Sequence, residues 1–199
     1  MNKEEKEKLS YCLGANIGMS LQSQGLTELD ASIFAGAIND VVSNSELKIN
    51  SEDINSYLQE YFGKLQAEQQ KVAVAEGEEF LKNNSSQEGV VTLESGLQYK
   101  VLKEGSGEKP KATDTVTTHY HGTLISGEVF DSSVERSEPA SFPVNGVIPG
   151  WVEALQLMPV GSKWKLFVPS HLAYGERGAG QKIGPNTTLI FEVELLSIN

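Results

Sequence analysis

The chain carries one cysteine, Cys12, in 199 residues. That excludes a disulfide framework and any zinc site built on several thiolates, and it suits a reducing compartment. Basic residues are scarce: 16 Lys and Arg face 27 Asp and Glu, a formal net charge of −11. A surface of that sign repels phosphate, which argues against nucleic acid as a partner. No apolar run approaches the roughly 20 residues that a membrane-spanning helix needs, so no membrane span is expected. The opening residues, Met1 to Lys8, are charged and lack the apolar stretch of a secretion signal. The expected location is therefore the cytoplasm, or the periplasm or cell surface if a leader segment has been removed upstream. Proline is missing from the first half altogether, since all 7 lie at or after Pro110. A proline-free stretch can run helical, whereas the remainder is punctuated by turns. What is present in quantity is apolar: 39% of residues are hydrophobic, too many for a disordered chain. Length allows one large domain or two small ones, and two are expected.

Charge divides in the same way as proline, with a net −8 over residues 1–88 and −3 over residues 89–199. In the first half Leu9, Cys12, Leu13, Ile17 and Leu21 recur at helical spacing, and Gly25 stops the pattern. Ser10, Gly14 and Gly18 form an adjacent strip of small side chains, which either admits a second helix closely or is simply a weak face. A second helix follows the Asp30 cap, with Ile33, Phe34, Ala37, Ile38 and Val41 on one face, and ends near Ser43. A third is capped by Asn50 or Ser51 and striped by Ile54, Tyr57, Leu58, Tyr61, Phe62 and Leu65. Its continuation from Gln66 to Leu81 is rich in Ala, Glu, Gln and Lys, so it is expected as a mostly solvated arm with Gly77 as a flexing point. From Ser51 to Lys82 such a helix would be about 45 to 50 Å long. Asn83 to Ser86 reads as a break. Three short helices with this little apolar area make a marginal core, which predicts a homodimer through the first ~65 residues. The alternative is that they cover the second domain.

From Gly89 the period changes to two. Strands are expected at Leu97 to Leu102, Thr115 to Leu124, Val129 to Phe130, Ser141 to Val144, Ser162 to Val168 and Thr187 to Ile198. One short helix, Trp151 to Met158, lies between Pro149-Gly150 and Pro159. Many strands, one helix and no βαβ alternation predict an antiparallel α+β domain.

The common catalytic constellations are weak here. His119 and His121 share a strand face, but no cysteine or carboxylate cluster accompanies them, so structural or solvent roles are favoured over metal binding. Gly175-Glu-Arg-Gly178-Ala-Gly180 lacks the strand, glycine, helix order and the Lys-Ser/Thr ending of a phosphate loop, and reads as a flexible loop. No Gly-x-Ser-x-Gly elbow occurs, and Cys12 sits on a helix face far from any histidine. Asp131 with Glu135 or Glu138 could make an acid/base pair, but Arg136 and the turn-like context favour ordinary loop charges. What remains is aromatic: Tyr120, Phe130, Phe142, Trp151, Tyr174 and Phe191 fall on six elements, with Val147, Ile148 and Ile183 among them. Spacing alone leaves these as either a cleft or a plain core.

Five segments decide between the two. Val116-Thr-Thr-His-Tyr-His-Gly-Thr-Leu, Gly127-Glu-Val-Phe-Asp-Ser-Ser, Asn145-Gly-Val-Ile-Pro-Gly-Trp, Leu172-Ala-Tyr-Gly and Thr188-Leu-Ile-Phe-Glu-Val-Glu-Leu-Leu stand in the order found in the FKBP family of peptidyl-prolyl cis–trans isomerases. The resemblance covers roughly residues 92–199. The first half, with Leu9-Ser-Tyr-Cys-Leu-Gly and Phe34-Ala-Gly-Ala-Ile-Asn-Asp, resembles the helical dimerisation domain of the bacterial two-domain branch that includes the macrophage infectivity potentiators. It implies a dimerisation domain with connecting helix over 1–86 and an isomerase domain over 87–199. The latter would be a five- or six-stranded antiparallel sheet wrapped around the short helix.

By that resemblance Trp151 would floor an apolar cleft, with Tyr120, Phe130, Val147, Ile148, Ile183 and Phe191 as walls. Tyr174 would offer its hydroxyl to a substrate carbonyl, and the Ile148 N–H would hold another. Asp131 would sit at the rim near Arg136 and Tyr120, and Arg136 and Phe142 would contribute to substrate binding. The implied partners are proline-containing segments of folding proteins and macrolide inhibitors, and no metal or cofactor is implied. Two positions depart from the small single-domain relatives: Ala140 replaces a cleft phenylalanine, and Lys182 replaces an aliphatic residue. Both make the wall thinner or more polar. A rival reading is a holdase chaperone in which two clefts on long arms clamp clients, and a third is a peptide-binding adaptor with an inert cleft.

Overall fold

Side-chain caps set where the helices begin. In the computed structural model, which describes residues 1–199, helix α1 spans Lys3–Ser23. Asn2 caps it reciprocally: its side chain accepts from the Glu5 N–H while the Glu5 carboxylate accepts from the Asn2 N–H. Helix α2 spans Ala31–Val42, and the Asp30 carboxylate accepts from the N–H groups of Ser32 and Ile33 at 2.9 and 3.0 Å. Helix α3 runs unbroken over Ser51–Asn84, with the Asn50 side chain accepting from the Asp53 N–H at 2.9 Å.

The chain divides into two compact units, Met1–Glu60 and Tyr61–Asn199. The first holds α1, α2 and the opening turns of α3, and none of its residues is buried. Ile33 is 67% exposed and Tyr57 is 68% exposed, so the apolar stripes find no core within this unit.

In the second unit α3 is mostly solvated from Gln66 onward, as expected, but around Gly77 one strip of it docks on the domain. Gly77 is buried rather than a flexing point, and a Cβ added there would lie 2.5 Å from Thr188 Oγ1. The glycine is what lets the helix approach the sheet. One turn on, the Phe80 ring meets Phe167 at 6.0 Å, and the Gln98 amide donates to the Leu81 carbonyl and accepts from Asn84 Nδ2.

The sheet comprises β1 (Val90–Thr92), β2 (Gln98–Lys103), β3 (Thr115–Leu124), β4 (Val129–Ser132), β5 (Ala140–Pro143), β6 (Lys163–Val168) and β7 (Leu189–Ile198). All pairings are antiparallel in the order β1-β2-β6-β7-β3-β4, and β5 also pairs with β3. Seven strands therefore replace the expected five or six. The three residues of β1 are too few to show a period, and the long β3 carries two partners on one edge. Thr115–Thr118 pair with β5, and His121–Thr123 pair with β4. The turn between those two partners projects beside the middle of β3.

Alternation along β7 buries Leu189, Phe191, Val193 and Leu195 against one face. On the other face Lys163 of β6 lies 2.9 Å from Glu192, and Lys103 of β2 lies 3.2 Å from Glu194. The Lys163 ammonium, opposed by partial desolvation, holds the Glu192 carboxyl below its usual range. Helix α4 (Pro149–Leu157) crosses the inner face, opened by Pro149 in its first turn and closed ahead of Pro159. Its Trp151, Ala154 and Leu155, with Met158, join Leu97, Val116, Leu166, Val168 and the β7 residues in one core. Each fully buried aliphatic side chain there contributes roughly 1.5–3 kcal/mol.

Candidate functional site

The inward face of β3 runs Val116, Thr118, Tyr120, Gly122, so toward its end a large ring is followed by no side chain. The gap at Gly122 is used. A Cβ there would fall 2.6 Å from Phe130 Cζ, 2.7 Å from Phe130 Cε2 and 3.1 Å from Phe191 Cε1. The Phe130 ring, projecting from β4, therefore lies across the Gly122 backbone. Gly122 escaped the sequence reading, although a lone glycine inside a strand pattern is the signal of a close approach.

Between this part of the sheet and the start of α4 opens a cleft of about 570 Å³. Trp151, 4% exposed, forms its base. Around the indole stand Phe191 at 5.2 Å, Tyr120 at 5.6 Å and Phe142 at 5.7 Å between ring centroids, with interplanar angles of 81°, 82° and 74°. Phe130 meets Phe191 in turn at 5.4 Å and 84°. Edge-to-face contacts of this kind add about 0.5–1.5 kcal/mol each beyond area burial, so the rings hold one another in place. They surround an open volume instead of filling it, which decides between the two sequence-based alternatives in favour of a cleft. The Trp151 Nε1 is buried without a hydrogen-bond partner.

Val147 and Ile148 enter the cleft from the turn before α4. The Ile148 carbonyl accepts from the Trp151 and Val152 N–H groups, which orients the peptide that precedes the helix. Tyr174, 41% exposed, and Ile183, 9% exposed, complete the lining. Segment 175–186, which holds the glycine-rich run Gly175–Gly180, folds back on itself as a tight hairpin. Ala179 and Ile183 exchange backbone hydrogen bonds at 2.8 and 3.2 Å, and the Asn186 N–H donates to the Gly175 carbonyl at 2.8 Å. Lys182 lines the cleft and donates from Nζ to the Val129 carbonyl at 2.7 Å, fastening the hairpin to β4.

At the rim three polar groups close a ring. The Tyr120 hydroxyl donates to Asp131 Oδ2 at 2.5 Å, Arg136 Nη2 donates to the Tyr120 hydroxyl at 2.9 Å, and Arg136 Nη1 pairs with Asp131 Oδ1. Burial pulls the Asp131 carboxyl upward, but the bonds from Tyr120 and Arg136 outweigh it and hold the group below the usual carboxylate range. Desolvation, helped by the neighbouring carboxylate, raises the Tyr120 phenol. Tyr120 therefore stays neutral and Asp131 charged through the physiological range. Arg136 is not itself on the cleft wall; it acts on Asp131 and Tyr120, with its Cζ 5.8 Å from the Tyr120 ring centroid. The buried Ser133 hydroxyl accepts from the Tyr120 N–H at 2.7 Å and lies 3.1 Å from His119 Nδ1. His121 Nδ1 lies 2.9 Å from the hydroxyl of Ser132, the last residue of β4, so each strand histidine is committed to a serine at the β4 end. Ala140 begins β5 opposite Thr118 and contributes nothing to the cleft lining.

Two family models match the chain: the FKBP-type peptidyl-prolyl cis-trans isomerase model over residues 106–196 and the domain amino terminal to that isomerase over residues 6–101. The chain is 48% identical to the FKBP-type 22 kDa peptidyl-prolyl cis-trans isomerase of Escherichia coli strain K12, over 95% of this chain and 93% of that protein. It is 46% identical to the outer membrane protein MIP of Legionella longbeachae, over 98% of this chain and 86% of that protein. Among solved structures, FkpA from Escherichia coli superposes with a TM-score of 0.78 at 36% identity, covering 100% of this chain and 99% of that one.

Proposed function

The chain belongs to the FKBP-type peptidyl-prolyl cis–trans isomerases and accelerates rotation about X–Pro bonds, and we propose that it does so non-covalently in the cleft above Trp151. Amide resonance makes the X–Pro bond planar, with a barrier near ~20 kcal/mol and uncatalysed exchange over tens to hundreds of seconds. In the twisted transition state resonance is lost and the amide becomes less dipolar. A water-poor, ring-lined cleft penalises the planar form relative to the twisted one, while fixed hydrogen bonds hold the peptide ends in a bent geometry. Shortening exchange from ~100 s to ~10 ms takes about 5.5 kcal/mol of differential stabilisation. Rotation about a bond transfers no electron pair, proton or group, so the reaction calls for no cofactor.

In this reading Trp151 carries the prolyl ring, and Tyr120, Phe130, Val147, Ile183 and Phe191 exclude water around it, with Phe142 backing the indole. The Tyr174 hydroxyl donates to one substrate carbonyl and the Ile148 N–H to another. Asp131, oriented by Arg136 and Tyr120, fixes a negative charge at the rim. The observation that carries the proposal is that the rings meet edge to face around an open volume. A protease-free exchange assay on a capped X–Pro peptide tests it: Phe130→Ala should lose most of the turnover while the chain stays folded. Equal loss of activity and stability would return these rings to a purely structural role. Macrolides are proposed as competing ligands of the same cleft, read by inhibition in that assay.

Residues 1–86 are proposed as a dimerisation domain with connecting helix and 87–199 as the isomerase domain. The exposed stripes of the first unit, which has no buried residue, support a homodimer. Sedimentation of the full chain at micromolar concentration should give a dimer; a stable monomer would overturn it. Proline-containing segments of folding chains are the proposed clients, and two clefts on one dimer support an added chaperone role through avidity. Suppression of aggregation that survives in Phe130→Ala would separate that role from catalysis. For location we propose the cytoplasm, supported by the exposed free thiol of Cys12. Recovery in a periplasmic or membrane fraction would contradict it.

A further inference from the structure

Two charged side chains line the cleft, Asp131 and Lys182. Their situations differ. Asp131 is compensated, held by Arg136 and Tyr120 in the closed ring at the rim. Lys182 has no carboxylate partner; its ammonium rests on a neutral backbone carbonyl, that of Val129. It is exposed, yet its stem runs along a wall otherwise made by Ile183, Ala179 and the rings. An ammonium bound to one carbonyl has two further donors to give, and a carboxylate is a stronger acceptor than a carbonyl. The next residue, Ile183, is buried and pinned through its backbone to Ala179, so the base of the Lys182 side chain is fixed while its tip is free to exchange partners.

We propose that Lys182 is a specificity-determining residue that selects acidic side chains flanking the proline. This deepens the catalytic reading of the cleft and rests on it. When a segment carrying Glu or Asp beside its proline enters, the Lys182 ammonium turns from the Val129 carbonyl to the incoming carboxylate and forms the one ion pair the cleft has left unmade. A basic side chain in the same place meets a like charge at the wall. The chain's net charge of −11 works against acidic substrates at long range, so the preference is local and short-ranged.

The test uses the full chain and capped peptides bearing Glu, Gln or Lys immediately before proline, with a matching set bearing them immediately after it. Exchange spectroscopy gives kcat/KM for each peptide without a coupling protease. Ratios within one variant cancel any general loss from loosening the hairpin. In Lys182→Met the Glu-to-Gln ratio should fall about three- to fivefold in at least one set, the effect of one partly screened ion pair, and the Lys-to-Gln ratio should rise. Lys182→Arg should keep the wild-type ratios, and 0.5 M salt should move both ratios in wild type toward those of Lys182→Met. Unchanged Glu-to-Gln ratios in both sets would overturn the proposal while leaving the isomerase reading intact. Failure of the wild-type chain to turn over any of the peptides would overturn that reading instead.

Discussion

Replacing Gly122 by alanine probes the cleft without replacing any side chain that lines it. The added Cβ would lie 2.6 and 2.7 Å from two Phe130 ring carbons and 3.1 Å from a Phe191 ring carbon. Carbon atoms at rest keep about 3.5–4.0 Å apart, so the Phe130 ring must move by most of an ångström or more. Phe191 gives little room, because it is wedged against Trp151 at 5.2 Å. Overpacking of this kind costs about 1–3 kcal/mol of stability. Displacing Phe130 also breaks its edge contact with Phe191, worth about 0.5–1.5 kcal/mol, and opens the wall to water. If that wall supplies a comparable share of the differential stabilisation, kcat/KM should fall on the order of tenfold or more. The assay is a cycle: Gly122→Ala, Phe130→Leu and the pair, each read by urea unfolding and by protease-free exchange. The smaller leucine relieves the clash, so Gly122→Ala should cost much less stability in the Phe130→Leu background than in wild type. Additive losses, or wild-type turnover in Gly122→Ala, would refute the claim that Gly122 exists to seat the Phe130 ring.

Asp131→Leu strands the guanidinium of Arg136 and the hydroxyl of Tyr120, and should lower kcat/KM on the order of tenfold while the fold persists by circular dichroism. Because the folded-state value of Asp131 is depressed, its contribution to stability is full above the unfolded value of about 3.9 and disappears as pH falls through the folded value. The stability gap between wild type and Asp131→Asn should therefore hold from pH 5 to neutrality and close in stronger acid, as followed by urea melts across pH. Gly77→Ala should loosen the end of α3 from the sheet, costing about 1–3 kcal/mol; Thr188→Ala in the same chain should recover part of that loss. Turnover should survive prolonged chelation, and dependence on an added metal ion would contradict the mechanism.

Much of this was legible from residue order because the elements announce their own ends. Asn50, Asp30 and Gly25 mark helix boundaries, and strict alternation set β3 at Thr115–Leu124 as observed. The parts that stayed hidden depend on what lies across space. Val90–Thr92 is too short to carry a period and becomes a strand only because β2 offers an edge. Gly77 looks like a weak point in a solvated helix until Thr188 is brought beside it, and Gly122 looks incidental until Phe130 lies over it. The glycines of Gly175–Gly180 give no hint of the Ala179–Ile183 bridge and the Lys182 contact, through which the segment lines the cleft. Among the residues of the cleft, residue order singled out the rings, and the resemblance to a family assigned them to a cleft and placed Asp131 beside Arg136 and Tyr120. The closed geometry of those three groups came only with the fold.

A dry arrangement of rings and fixed hydrogen bonds lowers the rotational barrier with no proton in flight. The decisive experiment is kcat/KM for one capped X–Pro peptide in H2O and in D2O, between pH 6 and 9. A solvent isotope effect close to one and a flat profile are expected, since Asp131 stays charged and Tyr120 neutral over that range. An isotope effect of about two or more, or a bell-shaped profile, would mean that a group in the cleft moves a proton in the rate-limiting step, and would contradict this mechanism.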